Sequence, residues 1–214
     1  KNFQPVSLGS NGVFEGELVF AGYGISASEL DYDDYADVDV RGKVVIVLRK
    51  EPQASDPSSR FDGVANTQHA YFSTKELNAS QHGAAALILV NDRATAALGD
   101  EDQLLDITGA GSARSESKIP TIFCTRSLIE SWLTHSIGKT LTELEEAIDT
   151  SGAPASQALG NLLAAGEVDL VASQLEVRNI IGVLPGRGTL ADQYVVLGAH
   201  YDHVGMGGFG SLAP

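Results

Sequence analysis

Two short runs of almost purely apolar residues, Val44-Val-Ile-Val-Leu48 and Ala84-Ala-Ala-Leu-Ile-Leu-Val90, constrain this chain more than any other feature. Neither run offers a polar alternate position, so both suit strands covered on both faces. Gly42-Lys43 opens the first, which reads as a central strand. Between them Tyr71 to Gln81 suits a helix, with Phe72, Leu77 and Ala79 mostly inward and Gly83 ending it. The product is a strand–helix–strand unit. The fold class is α/β (mixed α+β), a central β-sheet or open barrel flanked by helices.

Other elements fall into place around that unit. Residues 13–25 read as a glycine-punctuated strand pair, with Val13, Leu18, Val19 and Phe20 as core positions. Asp31-Tyr-Asp-Asp-Tyr-Ala-Asp-Val-Asp39 has a calcium-like composition but not the ligand order of an EF-hand, and reads as a solvated acidic loop. Residues 51–69, rich in Pro, Ser, Asp and Gln, suit a long surface loop. Ile119 to Cys124 reads as a strand, with Cys124 as a buried, inert thiol. Ser127-x-x-Glu130 and Thr140-x-x-Glu143 both have capping-box spacing. The first opens a helix carrying Leu128, Ile129, Trp132 and Leu133. The second opens one carrying Leu141, Leu144, Ala147 and Ile148. Leu159 to Ala165 fits a further short element. Beyond about residue 166, Val168–Leu175 and Val177–Leu184 look like consecutive strands, closed by Pro185-Gly-Arg-Gly188, and Tyr194–Ala199 like a third. The plan is a flanking segment over 1–11, a mixed α/β domain over 12–165 and the opening strands of a second domain over 166–214.

Composition narrows the partners. With 14 Lys and Arg against 28 Asp and Glu, the formal charge is −14, which argues against nucleic acid or an anionic membrane. No run of eighteen or more apolar residues offers a membrane span. The start, Lys1-Asn-Phe-Gln-Pro5, has neither an initiator Met nor a signal-peptide core, as expected of a trimmed N-terminus.

The chemistry concentrates at His200-Tyr-Asp202-His203. At the end of a strand, alternate residues share a face, so His200 and Asp202 point the same way and the carboxylate can orient the imidazole. Such a pair fits either a metal ligand with its orienting acid or an ordinary turn; His203 fits a pocket residue or a turn donor. The carboxyl end of a strand in an open α/β sheet is where ligands bind. One His and one Asp do not complete a zinc site, which needs about three protein ligands. Gly205-x-Gly207-x-x-Gly210 spells a dinucleotide fingerprint without the helix and acidic residue that must follow, so a flexible loop fits better. His69, His82 and His135 have no ligand spacing.

Several stretches together resemble a known family. Asn179-Ile-Ile-Gly-Val-Leu-Pro-Gly186 and Tyr194-Val-Val-Leu-Gly-Ala-His-Tyr-Asp-His-Val-Gly205 resemble the opening of the catalytic domain of co-catalytic di-zinc aminopeptidases, such as bacterial leucyl aminopeptidases and relatives of glutamate carboxypeptidase II. Phe20-Ala-Gly-Tyr-Gly-Ile25, Asp33-Asp-Tyr35, Gly42-Lys-Val-Val-Ile-Val47 and Gly83-Ala-Ala-Ala-Leu-Ile88 resemble the protease-associated (PA) domain inserted into many of them. The resemblance implies that His200 is a zinc ligand and that Asp202 orients it. It places the remaining ligands, the bridging Asp and the Glu general base, beyond Pro214. It further implies two Zn2+ per catalytic site, a peptide or protein substrate, a PA domain that covers the cleft or selects substrates, and a secreted or periplasmic enzyme whose signal has been removed. The 214 residues alone are expected to be inactive. The alternative is a non-catalytic interaction module of the PA type.

Overall fold

The computed structural model describes residues 1–54, 56–63, 65–97, 102, 104, 119–171 and 179–199. Its first unit, Lys1–Leu170, is built on a six-stranded sheet. In chain order the elements are β1 (Phe3–Pro5), β2 (Gly12–Phe20), β3 (Ser26–Ala27), β4 (Tyr32–Asp33), β5 (Val44–Leu48), α1 (Phe72–Gln81), β6 (Ala86–Val90), α2 (Arg93–Ala97), β7 (Thr121–Cys124), α3 (Arg126–Ile137), α4 (Leu141–Ser151) and β8 (Gln157–Val168). The sheet order is β1-β7-β6-β5-β2-β8, and β3 pairs with β4 in a separate ribbon.

β5 and β6 sit at the centre because they can be buried on both faces. All ten of their residues are buried, and β5 runs parallel to β2 and to β6. Alternate side chains feed two cores. Val44, Ile46, Leu48, Ile88 and Val90 meet Ile129 and Leu133 of α3 and Leu144 and Ile148 of α4. Val45, Val47, Leu87 and Leu89 face Ala79 of α1, Phe123 and Phe72. The mixed α+β architecture with helices on both faces is therefore as the periodicity predicts.

Four local expectations are corrected. Residues 13–25 are not a strand pair, because β2 runs from Gly12 to Phe20 and a turn follows. Its side chains alternate, so Phe14 is buried and Val13 is 78% exposed rather than core. On α1 the inward face carries Lys75, Glu76, Asn78 and Ala79, which turns Leu77 outward at 49% exposure. Ser127 does not cap α3. The N-cap is Thr125, and Glu130 instead accepts the Leu141 N–H at 2.7 Å, so it serves the start of α4. The second box forms as expected, with Glu143 N–H donating to Thr140 Oγ1 at 3.0 Å and Thr140 N–H to Glu143 Oε2 at 2.8 Å. On α4, Glu145 is buried where Ala147 was expected.

Leu159 to Ala165 belongs to a longer element. β8 pairs antiparallel with β2 from Gly12↔Val168 to Phe20↔Gln157, with an irregularity between Glu17 and Val19. Their outer halves form a two-stranded ribbon past the point where β2 meets β5.

The second unit is Val171–Pro214. Residues 179–184 and 194–199 are not strands in it, and one 3₁₀ turn spans Gly188–Leu190. A strand exists only where a neighbour takes its backbone hydrogen bonds. No described strand pairs with either run. Their apolar side chains stay open, Ile180 at 84% and Leu197 at 95%.

Thr140→Ala is expected to destabilise the chain by about 1 kcal/mol through loss of the cap. Chemical denaturation monitored by circular dichroism measures it, and an unchanged midpoint would refute the box's contribution.

Candidate functional site

Parallel strands deliver their following loops to one edge, and here the carboxyl ends of β5 and β6 open onto a cleft of about 340 Å3. Tyr23 comes from the turn after β2, Glu51 and Asp56 from the loop after β5, Asp92 and Arg93 from the start of α2, and Glu145 and Asp149 from α4. Five carboxylates thus line one concavity, a field that attracts cationic groups.

Most of these carboxylates have fixed partners. Glu51 accepts Thr67 N–H at 2.9 Å and Thr67 Oγ1 at 2.6 Å. Asp92 accepts Thr95 N–H at 2.8 Å and Thr95 Oγ1 at 2.5 Å. Glu145 accepts Arg93 N–H at 2.6 Å and pairs with Arg126 Nη1 at 2.9 Å, yet burial still raises its pKa. Asp149 accepts Gln53 N–H at 2.9 Å and the Tyr23 hydroxyl at 3.3 Å. Desolvation, then Glu145, raises the pKa of that phenol, so it acts as a donor.

Beneath the cleft lies a charged centre that the sequence patterns did not reveal. Lys75 of α1 is fully buried, and its Nζ donates to Tyr23 O at 2.5 Å and Lys50 O at 2.6 Å. It thereby ties the turn after β2 to the loop after β5. Asp34, 1% exposed, holds the same turn from the other side. Its Oδ2 accepts Tyr23 N–H and Ile25 N–H, each at 3.0 Å, and its Oδ1 accepts the Tyr32 hydroxyl at 2.9 Å. The acidic loop is therefore not wholly solvated. Burial lowers the Lys75 pKa to about 7 against the attraction of Asp34, Glu51 and Asp92. Burial raises that of Asp34 to about 7 against its hydrogen bonds and Lys75. No sequence signal pointed to Lys75, because lysine on a helix is ordinarily read as surface.

His69 and His82 have structural partners. His69 Nε2 lies 3.0 Å from Glu29 Oε1, and His82 stacks on Tyr35 with ring centroids 4.3 Å apart. Cys124 is buried and burial pushes its thiol up to about 12, an inert group as expected. His200, Asp202, His203 and the glycines at 205, 207 and 210 lie outside the described residues. Among the described residues no group of three or more His, Cys, Asp or Glu side chains is placed to hold a metal ion, so the cleft does not fit zinc.

The family comparison agrees with this architecture. The family model described as PA domain matches residues 14–132, from β2 into α3. The chain belongs to the PA domain family. Solved structures similar to it include an aminopeptidase from Aneurinibacillus sp. strain AM-1, at 19% identity and a TM-score of 0.39, over 78% of this chain and 30% of that one. BSAP, a zinc aminopeptidase from Bacillus subtilis, is 16% identical with a TM-score of 0.33, over 77% of this chain and 29% of that one. This PA chain thus spans under a third of either protein's length. No curated protein sequence matches it. No described helix is long and apolar enough to cross a membrane.

Two outcomes test the buried centre. Gly22 has φ +48°, and a Cβ there would stand 2.2 Å from Asp34 Oδ1, whereas Gly42, at φ +70°, has nothing within 4 Å of its Cβ position. Both alanine variants meet the left-handed cost of about 1–2 kcal/mol, so Gly22→Ala should exceed Gly42→Ala by a further ~1–3 kcal/mol. Equal denaturation midpoints would refute the packing of Asp34 on that turn.

The pH response follows from the two shifts. Asp34's folded pKa, about 7, lies above its ordinary 3.8, so its stabilisation is full below 3.8 and is lost as pH rises towards 7. Lys75's folded pKa, about 7, lies below its ordinary 10.5, so its contribution is full above 10.5 and is lost as pH falls towards 7. Together they contribute a stability minimum near pH 7. Lys75→Met should cost about 3 kcal/mol and remove the rise between pH 7 and 10. Denaturation midpoints across that range decide it, and an unchanged alkaline slope in the variant would contradict the assignment.

Proposed function

We propose that this chain is the PA domain and the adjoining start of the catalytic domain of a zinc-dependent aminopeptidase, an exopeptidase that removes N-terminal residues from peptides. One observation carries the reading. Directly after the PA fold closes with β8, the chain continues into the apolar runs Asn179–Leu184 and Tyr194–Leu197, and the second ends in His200-Tyr-Asp202-His203. Those runs resemble the first catalytic strands of co-catalytic di-zinc aminopeptidases. Their high exposure fits strands whose sheet neighbours belong to a catalytic domain.

In this reading His200 is a metal ligand and Asp202 fixes its tautomer by accepting the other ring N–H. The bound zinc would supply an activated water and polarise the scissile carbonyl. The PA domain, with its acidic cleft, covers the catalytic site or selects substrates, and the partner is a peptide or protein. The family's usual setting argues for secretion or a periplasmic location. The PA domain, read from the sequence as 12–165, then extends to the end of β8 at Val168, and the opening of the catalytic domain follows.

The test uses the whole enzyme that contains this sequence. His200→Ala should abolish hydrolysis of an aminoacyl-nitroanilide and lower bound zinc, and Asp202→Asn should lower activity or metal affinity by roughly 10–100-fold. Neither should shift the melting of the PA domain, and the 214-residue chain alone should be inactive. Full activity in His200→Ala would overturn the peptidase reading and leave a non-catalytic interaction module.

A further inference from the structure

A second concavity lies on the sheet face that α3 covers only in part. It measures about 630 Å3, within the roughly 300–1,000 Å3 of typical ligand sites. Its floor is apolar: Phe14 and Leu18 of β2, Ile88 of β6, Ile122 of β7, and Leu128 and Trp132 of α3. Every residue of β8 from Leu162 to Glu167 borders it, so the cavity runs along a backbone rather than against isolated side chains. β8 has β2 on one side and, among the described residues, no strand on the other. A strand edge exposes N–H and C=O groups that accept another strand.

The two faces of the β2–β8 ribbon differ. Leu162, Ala164 and Gly166 alternate inward over the groove, while Leu163, Ala165 and Glu167 are exposed. The register sets Val13 opposite Glu167, Glu15 opposite Ala165 and Glu17 opposite Leu163, so Glu15, Glu17 and Glu167 share the outer face. Among described residues the cationic partner on that face is Lys43, 3.3 Å from Glu17.

We propose that the open edge of β8 and the groove beside it take up an extended peptide from a partner protein, with apolar side chains at alternate positions and basic residues between them. Pairing with β8 satisfies the backbone of both strands. The period of two then sends the apolar set over Ile122, Leu128 and Trp132, and the basic set to the outer face beside the glutamates. The net charge of −14 favours the same partner from a distance. This goes beyond the peptidase reading, since it concerns a site away from His200 and holds whether or not the whole protein is an enzyme.

The probe is a fluorescein-labelled peptide of about nine alternating Val and Lys residues, titrated into the full chain by anisotropy. Saturable binding at about 10 μM or tighter is expected, weakened about tenfold when Glu replaces Lys in the peptide. Ala164→Phe, which fills the groove, should weaken binding about tenfold, and so should the exposed pair Glu15→Lys with Glu167→Lys, which keeps the test informative if Ala164→Phe misfolds. Hydrogen exchange should slow at residues 162–167 on binding. No saturation, indifference to both variants, or protection centred on the Glu51–Asp92 cleft would overturn the proposal. So would a mass that doubles with concentration and resists the peptide, which would assign the edge to a second copy.

Discussion

Lys75 Nζ, shared between the carbonyls of Tyr23 and Lys50, is the contact on which the carboxyl edge of this sheet depends. Parallel strands that end side by side bring their last carbonyls and following loops together, and buried acceptors need donors. One ammonium from α1 supplies two such bonds to loops of different strands. It lies among Asp34, Glu51 and Asp92, which favour its charged form against a burial that opposes it. Removing the lysine would leave two carbonyls short of a donor and the acids short of a cation. Asp34 completes the turn by capping the N–H groups of Tyr23 and Ile25, and that demands glycine at position 22. The family-like stretches Phe20-Ala-Gly-Tyr-Gly-Ile25 and Asp33-Asp-Tyr35 are the two halves of this one arrangement.

How much of this was legible depended on whether a residue's environment is set locally. β5 and β6 could be read because continuous apolar runs have only one stable destination, the middle of a covered sheet. The Thr140 cap could be read because its partner is three residues away. Val13 was misjudged because one step of register reverses every side chain on a strand, and only the pairing with β8 sets that step. Leu77 was misjudged because α1 spends its inward face on Lys75 and Asn78, whose partners Tyr23, Gly24 and Lys50 are distant in sequence. Ser127 lost its cap because the helix begins one residue before it and Glu130 is used by α4. His200 and Asp202, the proposed metal ligand and its orienting acid, were legible only as a motif, and they lie outside the described residues.

The apolar runs after β8 obey the same physics with the opposite result. Val195, Val196 and Leu197 have the composition of a covered strand but are 88–95% exposed. Each such side chain forgoes about 1.5–3 kcal/mol of burial. Composition can announce a strand, but only a paired and covered neighbour makes one.

The cleft and the groove show how differently a fold can treat two concavities. In the cleft, Glu51, Asp92 and Glu145 already hold donors from their own chain, so a ligand would have to displace bonds of 2.5–2.9 Å. Such a site is stiff, and its acidity acts mainly through the field it projects. In the groove the apolar floor is only partly covered, and β8 lacks a neighbour on one side among the described residues. Water covers that apolar surface at a cost of about 25 cal/mol per Å2, which an entering side chain recovers without breaking any internal bond. For the extended peptide proposed above, the edge of the sheet is therefore a better seat than the acidic cleft.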